Sequence, residues 1–269
     1  MERVGEHPVP AGPLAVRWLG YELPSLRAGE LASVRLRLEN AGSATWRQRV
    51  LLSCHWLDDR GNAIDWDGPR TRLPHDVAPG DEVEVAAVVR VTEPPGAYGL
   101  AFDLVEEFGF WFAEVDSHVL ELEVDVSPRI DVRRLAVVVH GGRDAATEAA
   151  LAAQAEPLVD SEAVATAHLV TGALPEPDWS RRILDAHAEG FTAVGGSIDG
   201  GRELAAWRSE GGRNPAFAYP LLLPSVLDGF ELREHAGLPA YFPERVQNGE
   251  PWLFDGRIRL RLRRDRRRA

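Results

Sequence analysis

Apolar and polar residues alternate strictly in several short segments between residue 13 and about residue 126. The clearest are 34–39 and 120–125, where valine or leucine alternates with a charged residue, and 100–104 continues the pattern. A period of two places one face of a strand in a core and the other in water. Turn residues separate these segments at 40–42, 58–62, 78–81 and 94–96. This spacing predicts an antiparallel β-sandwich over 13–126.

The pattern changes after a polar linker at 127–133. Apolar runs predict strands, and alanine-rich or amphipathic stretches predict helices, in the order strand 135–139, helix 144–154, strand 163–170, helix 175–187 and strand 192–194. This order predicts a small parallel α/β domain over 134–255. Residues 1–12 form a leader before the sandwich, and 256–269 form an arginine-rich tail.

The composition excludes several kinds of chemistry. All 30 basic residues are arginine, so a lysine Schiff base and a P-loop lysine are excluded. The single cysteine, Cys54, excludes an intramolecular disulfide and a multi-cysteine zinc site. The opening residues lack the apolar segment of a signal peptide, and no apolar run reaches the ~18 residues of a membrane helix. We therefore predict a cytoplasmic protein without a cofactor.

The formal net charge of −12 is unevenly distributed. Residues 256–269 carry eight arginines against Asp265, so the rest of the chain is more acidic than the net charge indicates. A duplex-binding domain carries its basic patch on a folded face, so we interpret 256–269 as a solvated tail. We predict no specific nucleic-acid partner and leave the oligomeric state open.

Residues 13–126 carry an ordered set of motifs. They are NAGSATW at 40–46, HWLD at 55–58, DGPRT at 67–71, VAPG at 77–80 and PGAY at 95–98. In this order the motifs resemble bacterial immunoglobulin-like modules related to the domain found next to BRCA1. The resemblance implies an immunoglobulin-like β-sandwich with a non-catalytic interaction or spacer role.

Tryptophans of this region are candidate interaction residues, namely Trp46, Trp56, Trp66 and Trp111. Core packing is the simpler interpretation, because buried aromatics anchor most such sandwiches. An exposed tryptophan would instead offer a stacking surface for a sugar, so we predict a protein or glycan partner. Asp65 and Asp67 flank Trp66, but two carboxylates are too few oxygen ligands for calcium, and we predict no metal site.

Residues 134–200 carry a second, partial set of motifs. LPEPDWSRRIL at 174–184, followed by AVGGSI at 193–198, looks like the inverting family-2 glycosyltransferases of the GT-A fold. In that family an Asp-x-Asp motif holds a divalent cation on a nucleotide-sugar diphosphate. Here Val170-Thr171-Gly172 occupies the motif, and neither outer residue can ligate a metal. The resemblance therefore implies a truncated, degenerate domain, and a fold class of β-sandwich followed by a small GT-A-like (Rossmann-like) α/β domain.

Three residues of the second domain are candidate ligand contacts. Asp160 is the acid left where the family carries a nucleotide-contacting aspartate, and Trp179 leads the family's helix. Arg213 follows Gly211-Gly212 and is a candidate clamp for an anion. We predict no catalytic residue, because His140-Gly141-Gly142 resembles an oxyanion-hole turn without a correctly spaced nucleophile elbow.

Together these features predict a non-catalytic accessory or binding protein linked to bacterial surface-glycan biosynthesis. A divergent, metal-independent glycosyltransferase that places arginines against a nucleotide sugar is the enzymatic alternative. A protein-binding adaptor unrelated to glycans, with the edge strands of the sandwich as its interface, is the second alternative.

Overall fold

The chain divides into two compact units, Met1–Ser127 and Pro128–Ala269, in a computed structural model. The structure describes residues 1–5, 12–198, 207–208, 221–222, 225–230, 232–235, 238–241 and 250–263.

The first unit contains two β-sheets that share one hydrophobic core. Its strands are β1 (Glu2–Arg3), β2 (Val16–Glu22), β3 (Leu26–Arg27), β4 (Leu31–Asn40), β5 (Val50–Leu57), β6 (Ala63–Asp65), β7 (Thr71–Arg72), β8 (Glu82–Arg90), β9 (Gly96–Glu106) and β10 (Leu120–Ser127). One sheet has the order β1-β2-β4-β8, and the other has the order β3-β10-β9-β5-β6 with β7 beside β5. The strand pairs are antiparallel except β3 with β10, and a short 3₁₀ helix lies at Phe112–Val115.

Alternation explains which side chains enter this core. On β8 and β10 buried and exposed residues follow each other one by one, so one face of each strand packs inward. β5 is buried on both faces, which places its only cysteine, Cys54, inside the unit. Burial, the largest cause, raises the pKa of the Cys54 thiol to about 12, and the nearby Asp65 carboxylate adds to this effect.

The motif at 40–46 has a structural role. The buried Asn40 side chain donates Nδ2 hydrogen bonds of 2.9 Å to the carbonyls of Ala44 and Val77, and its Oδ1 accepts one from the Gly42 amide. A Cβ on Gly42 would lie 2.3 Å from the Pro13 carbonyl oxygen, so a side chain does not fit there. The asparagine and the glycine therefore close this turn onto the neighbouring segments.

The second unit is built around one mixed sheet with two helices in its described part. Its elements are β11 (Leu135–His140), α1 (Ala145–Ala152), β12 (Ala165–Val170), β13 (Ala173–Pro175), α2 (Trp179–Glu189), β14 (Ala193–Ile198), β15 (Trp207–Arg208), β16 (Leu221–Leu222), β17 (Ser225–Leu227), β18 (Arg233–His235), β19 (Leu238–Tyr241) and β20 (Trp252–Leu262). The large sheet has the order β11-β12-β17-β14-β20-β13, with β15 beside β20, and β16-β19-β18 form a small sheet.

The predicted fold class is wrong, because this unit is not a Rossmann-like α/β domain. β11 pairs with β12 in parallel, and β14 pairs with β20 in parallel. However, β17 lies between β12 and β14 and runs antiparallel to both. A Rossmann-like unit instead places successive parallel strands side by side with helices on both faces. The GT-A expectation is corrected with it, and the unit is a mostly β structure.

Residues 256–262, predicted as the start of a solvated tail, belong to β20. Ile258 and Leu260 on this strand are buried in the core of the unit, whereas Arg257 and Arg261 are exposed. The arginines therefore alternate with apolar side chains along a strand of a folded sheet.

His187 connects α2 to the sheet from inside the core. Its fully buried ring lies 2.7 Å from the Phe191 carbonyl oxygen through Nδ1 and 2.8 Å from the Ser225 hydroxyl through Nε2. The carbonyl can only accept, so Nδ1 carries the proton and Nε2 accepts from the hydroxyl. Burial is the main cause that lowers the pKa of His187 to about 4, which keeps the ring neutral.

We expect His187 to make the second unit sensitive to acid. Its pKa is about 4 when folded and near 6.5 when unfolded, so its stabilisation is complete above about pH 6.5 and is lost as the pH falls towards 4. We predict that His187→Gln lowers the free energy of unfolding at neutral pH by about 1–3 kcal/mol and that this deficit shrinks in acid. Urea unfolding from about pH 4.5 to about pH 7.5 measures this, and a constant deficit would contradict it.

Candidate functional site

The structure separates the four candidate tryptophans into two pairs. Trp46 and Trp56 are buried in the core of the first unit, where Trp56 Nε1 donates to the Arg90 carbonyl at 2.9 Å. Trp66 is 50% exposed, and Trp111 is partly buried beside it. Two residues that the sequence did not select, His55 and Arg70, contact this second pair. We call His55, Trp66, Arg70 and Trp111 the aromatic cluster.

The rings of the aromatic cluster are closely packed. The His55 ring stacks on Trp66 with centroids 4.0 Å apart and planes 17° apart. Trp111 places its edge against both, at 4.3 Å from His55 and 6.0 Å from Trp66. Edge-to-face and stacked rings at these distances attract one another, so Trp66 is held in place although half of it faces water.

Strand pairing brings these residues together. His55 and Trp56 are neighbours on β5, so their side chains leave opposite faces of the sheet and only Trp56 enters the core. β6 pairs with β5 through Asp65 and Trp56, which places Trp66 immediately after the hairpin. Trp111 is positioned by a bridge between its backbone and Val105 of β9.

His55 supports the cluster as a neutral ring. Its Nδ1 donates a hydrogen bond of 2.5 Å to the Trp66 carbonyl oxygen. Burial lowers the pKa of His55, an effect that outweighs this hydrogen bond. The imidazole therefore offers Trp66 an uncharged, flat surface at neutral pH.

Arg70 adds fixed hydrogen-bond donors to the cluster. Its guanidinium carbon lies 4.6 Å from the centroid of Trp111, within range of a cation–π interaction. Nη1 donates to the Ser53 hydroxyl at 2.7 Å and to the Gly68 carbonyl at 3.0 Å, and Nη2 pairs with Asp67. The charged group is thereby held over Trp111, the ring that packs against Trp66.

The two carboxylates beside Trp66 are both engaged by arginine. Asp67 pairs with Arg70, and Asp65 pairs with Arg90 at 2.5 Å. These contacts tie the turn after β6 to β8 and to the aromatic cluster.

A short hairpin next to the cluster exposes a further aromatic ring. The Glu106 amide donates to the Phe110 carbonyl at 3.0 Å, and the Gly109 amide donates to Glu106 at 2.8 Å. Phe108 at the tip is 95% exposed and has a left-handed backbone with φ of 63°. A bulky residue in that conformation is uncommon.

Asp103 anchors the segment that follows Trp111. This buried carboxylate accepts hydrogen bonds from the Leu104 amide at 2.8 Å and the Ala113 amide at 3.1 Å. Burial is the main cause that raises the pKa of Asp103 to about 7, although the two amides favour the ionised form.

The candidate contacts of the second unit do not form one site in the described residues. Asp160 is exposed in the connection before β12, whereas Trp179 is buried in the core under α2. Arg213 lies outside the described residues. β12 ends at Val170, and Gly172 lies in the turn that follows. His140 on β11 and His168 on β12 share a hydrogen bond of 3.0 Å that the sequence did not indicate.

Comparison with known proteins does not assign a family to the chain. No protein-family model and no curated protein matches the sequence. Solved structures match with low similarity. A family 123 glycoside hydrolase from Clostridium perfringens is 9% identical, with a TM-score of 0.21, over 42% of this chain and 24% of its own.

Two further solved structures are equally distant. PapD-like (ASH) domain 7 of human CEP192 is 17% identical, with a TM-score of 0.20, over 47% of this chain and 92% of its own. A proposed β-galactosidase from Bacteroides fragilis is 12% identical, with a TM-score of 0.24, over 70% of this chain and 29% of its own. Two of the three structures are thus glycan-related, and the chain spans less than a third of each of those two. TM-scores this low assign no activity to this chain.

Within the part of the chain that the structure describes, neither helix has the length and apolarity needed to cross a bilayer.

We expect Asp103 to make the first unit less stable as the pH rises. Its carboxyl group holds a proton up to about pH 7 when folded but only to about pH 4 when unfolded, so stability falls between these values and is level above them. The free energy of unfolding of the wild type, minus that of Asp103→Asn, should therefore decrease from about pH 5 to about pH 7, by at most ~1.4 kcal/mol per pH unit. Urea unfolding followed by tryptophan fluorescence measures it, and an increase with pH would refute the assignment.

Proposed function

We propose that this chain is a non-catalytic, glycan-binding protein and that the aromatic cluster is its ligand surface. The observation that carries the proposal is the half-exposed indole of Trp66, backed by the neutral His55 ring at 4.0 Å. The face of a sugar that carries C–H groups packs against such a ring, whereas its hydroxyl groups need polar partners at the edge. At the aromatic cluster, Arg70 and its partner Asp67 are the polar groups.

Preorganisation supports the proposal further. Trp66 is stacked on His55, and Arg70 is held by Ser53 and Gly68. A ligand therefore meets side chains whose conformational freedom is already restricted, which reduces the entropic cost of binding. The proposal concerns binding alone, because the link to surface-glycan biosynthesis came from the glycosyltransferase resemblance that the fold of the second unit contradicts.

A protein-binding adaptor is the second candidate function. The observation that supports it is the exposure of Phe108, which lies at the tip of the hairpin that leads to Trp111 and is 95% exposed. An exposed aromatic ring at the tip of a hairpin can act as an anchor that enters a pocket of a partner protein. Glycan binding therefore depends on Trp66 and protein binding on Phe108. Substituting the two residues separately distinguishes the two functions.

We predict that Trp66→Ala weakens glycan binding about tenfold, equivalent to about 1.4 kcal/mol, because it removes the stacking surface. The full chain is first screened on a glycan array, and affinity for the best-retained oligosaccharide is then measured by calorimetry. Quenching of tryptophan fluorescence by the same oligosaccharide gives a second readout.

Ile64→Ala is the matched control, since Ile64 is 49% exposed on β6, two residues from Trp66. It should leave both the affinity and the melting temperature unchanged. Retention of no glycan by the wild type, or equal loss in both variants, would refute the proposal. Loss of a protein partner in Phe108→Ala, with Trp66→Ala unaffected, would support the adaptor instead.

A further inference from the structure

In the described part of the second unit, a cleft is lined by five charged residues. It has a volume of about 290 Å³ and lies between the start of α2 and strand β20, with Glu176, Asp178, Arg182, Arg257 and Arg259 as its lining. We call it the charged cleft. Neither Asp160 nor Trp179 is among the described residues that line it, and it lies in a different unit from the aromatic cluster.

A β-bulge shapes the floor of the charged cleft. β14 and β20 pair in register up to Gly196 and Asp255, and pairing resumes at Ser197 and Arg259, so residues 256–258 bulge out of the strand. A Cβ on Gly196 would lie 2.0 Å from the Ile258 carbonyl oxygen, so this close approach requires glycine. The Ser197 hydroxyl donates to the Gly256 carbonyl at 2.9 Å and holds the bulge. Bulges redirect side chains, and they are common next to functional sites.

Two of the three arginines of the cleft are oriented by carboxylates. The buried Asp255 accepts from Nε and Nη2 of Arg257 at 3.0 and 2.7 Å, and from the Arg257 amide at 2.9 Å. Burial alone would raise the pKa of Asp255, but these bonds hold it below its ordinary value. Nε of Arg182 donates to Asp178 at 2.6 Å in the same manner. Both guanidinium planes are therefore set before a ligand arrives, and the Arg257 side chain remains 66% exposed.

The composition of the lining selects the kind of ligand. A guanidinium group binds phosphate through paired hydrogen bonds, and two or three of them at one place favour a dianion over a monoanion. Carboxylates repel a bare phosphate but accept strong hydrogen bonds from hydroxyl groups. Among the described residues, the lining has no aromatic ring on which a nucleobase would stack, and its volume suits a small molecule.

We infer that the charged cleft binds a small phosphorylated sugar, with the phosphate group on Arg182 and Arg257 and the hydroxyl groups on Glu176 and Asp178. This site does not depend on the proposed glycan binding, since it uses other residues in the other unit. Either proposal can therefore fail without the other.

Glucose 6-phosphate, inorganic phosphate and glucose are the probes that test this inference, by calorimetry on the full chain. We expect glucose 6-phosphate to bind, inorganic phosphate to bind about tenfold more weakly, and glucose to give no heat of binding. Equal affinity for glucose 6-phosphate and inorganic phosphate would overturn the sugar assignment. Absence of binding by both would overturn the site.

Two variants with different expected effects on the two phosphorylated probes distinguish loss of the site from loss of folding, because an unfolded variant would bind neither probe. Arg182→Gln should weaken both phosphorylated probes about tenfold, because each loses a charged donor. Glu176→Ala should weaken glucose 6-phosphate towards the affinity of inorganic phosphate, while inorganic phosphate itself binds as well or better. Arg134→Gln, which changes an arginine paired with Glu162 outside the cleft, is the control and should bind like the wild type. Equal affinities in the wild type and all three variants would refute the assignment.

Discussion

The second unit depends on the pairing of β20 with three other strands. β14 runs parallel to it, and β13 and β15 run antiparallel to it, so the backbone groups of all three find partners on this one strand. Ile258 and Leu260 of β20 also fill the core beneath the helices. The bond between Ser197 and Gly256 joins residues 59 positions apart, so the sheet closes through non-local contacts, which form slowly in folding. β20 thus supplies part of the core and two of the three arginines of the charged cleft, Arg257 and Arg259.

Much of the fold could be predicted where one face of a strand meets water. β4 and β10 alternate buried and exposed residues, and the alternation was visible in the sequence. The strands β11, β12 and β14 also exist close to their predicted positions. Their order in the sheet could not be predicted, because β17 has three residues, too few to show a period, yet it separates β12 from β14. The second half of β20 was not predicted as a strand, because the charge of its arginines indicated a solvated tail.

The sequence indicated part of the candidate site. Trp66 and Trp111 were among the candidate residues, but composition does not distinguish them from the buried Trp46 and Trp56. The signal for His55 was its place next to Trp56 within the predicted β-sandwich. Neighbouring side chains of a strand point to opposite faces, so a residue beside an inward-facing tryptophan points away from the core. The charged cleft could not be predicted from the sequence, because the bulge that brings Arg257 towards α2 depends on the register of two strands that are distant in the chain.

Alkylation of the single thiol, Cys54, would report on opening of the first unit. The sulphur is buried on β5, and a pKa of about 12 leaves almost no thiolate for an alkylating reagent to attack at neutral pH. Alkylation must therefore wait until β5 is exposed by opening of the sandwich. With one cysteine in the sequence, every labelled molecule counts one such opening event, and no second thiol competes for the label. When reclosing is faster than alkylation, the rate of labelling divided by the rate for an unprotected thiol would then give the equilibrium constant for opening of this unit.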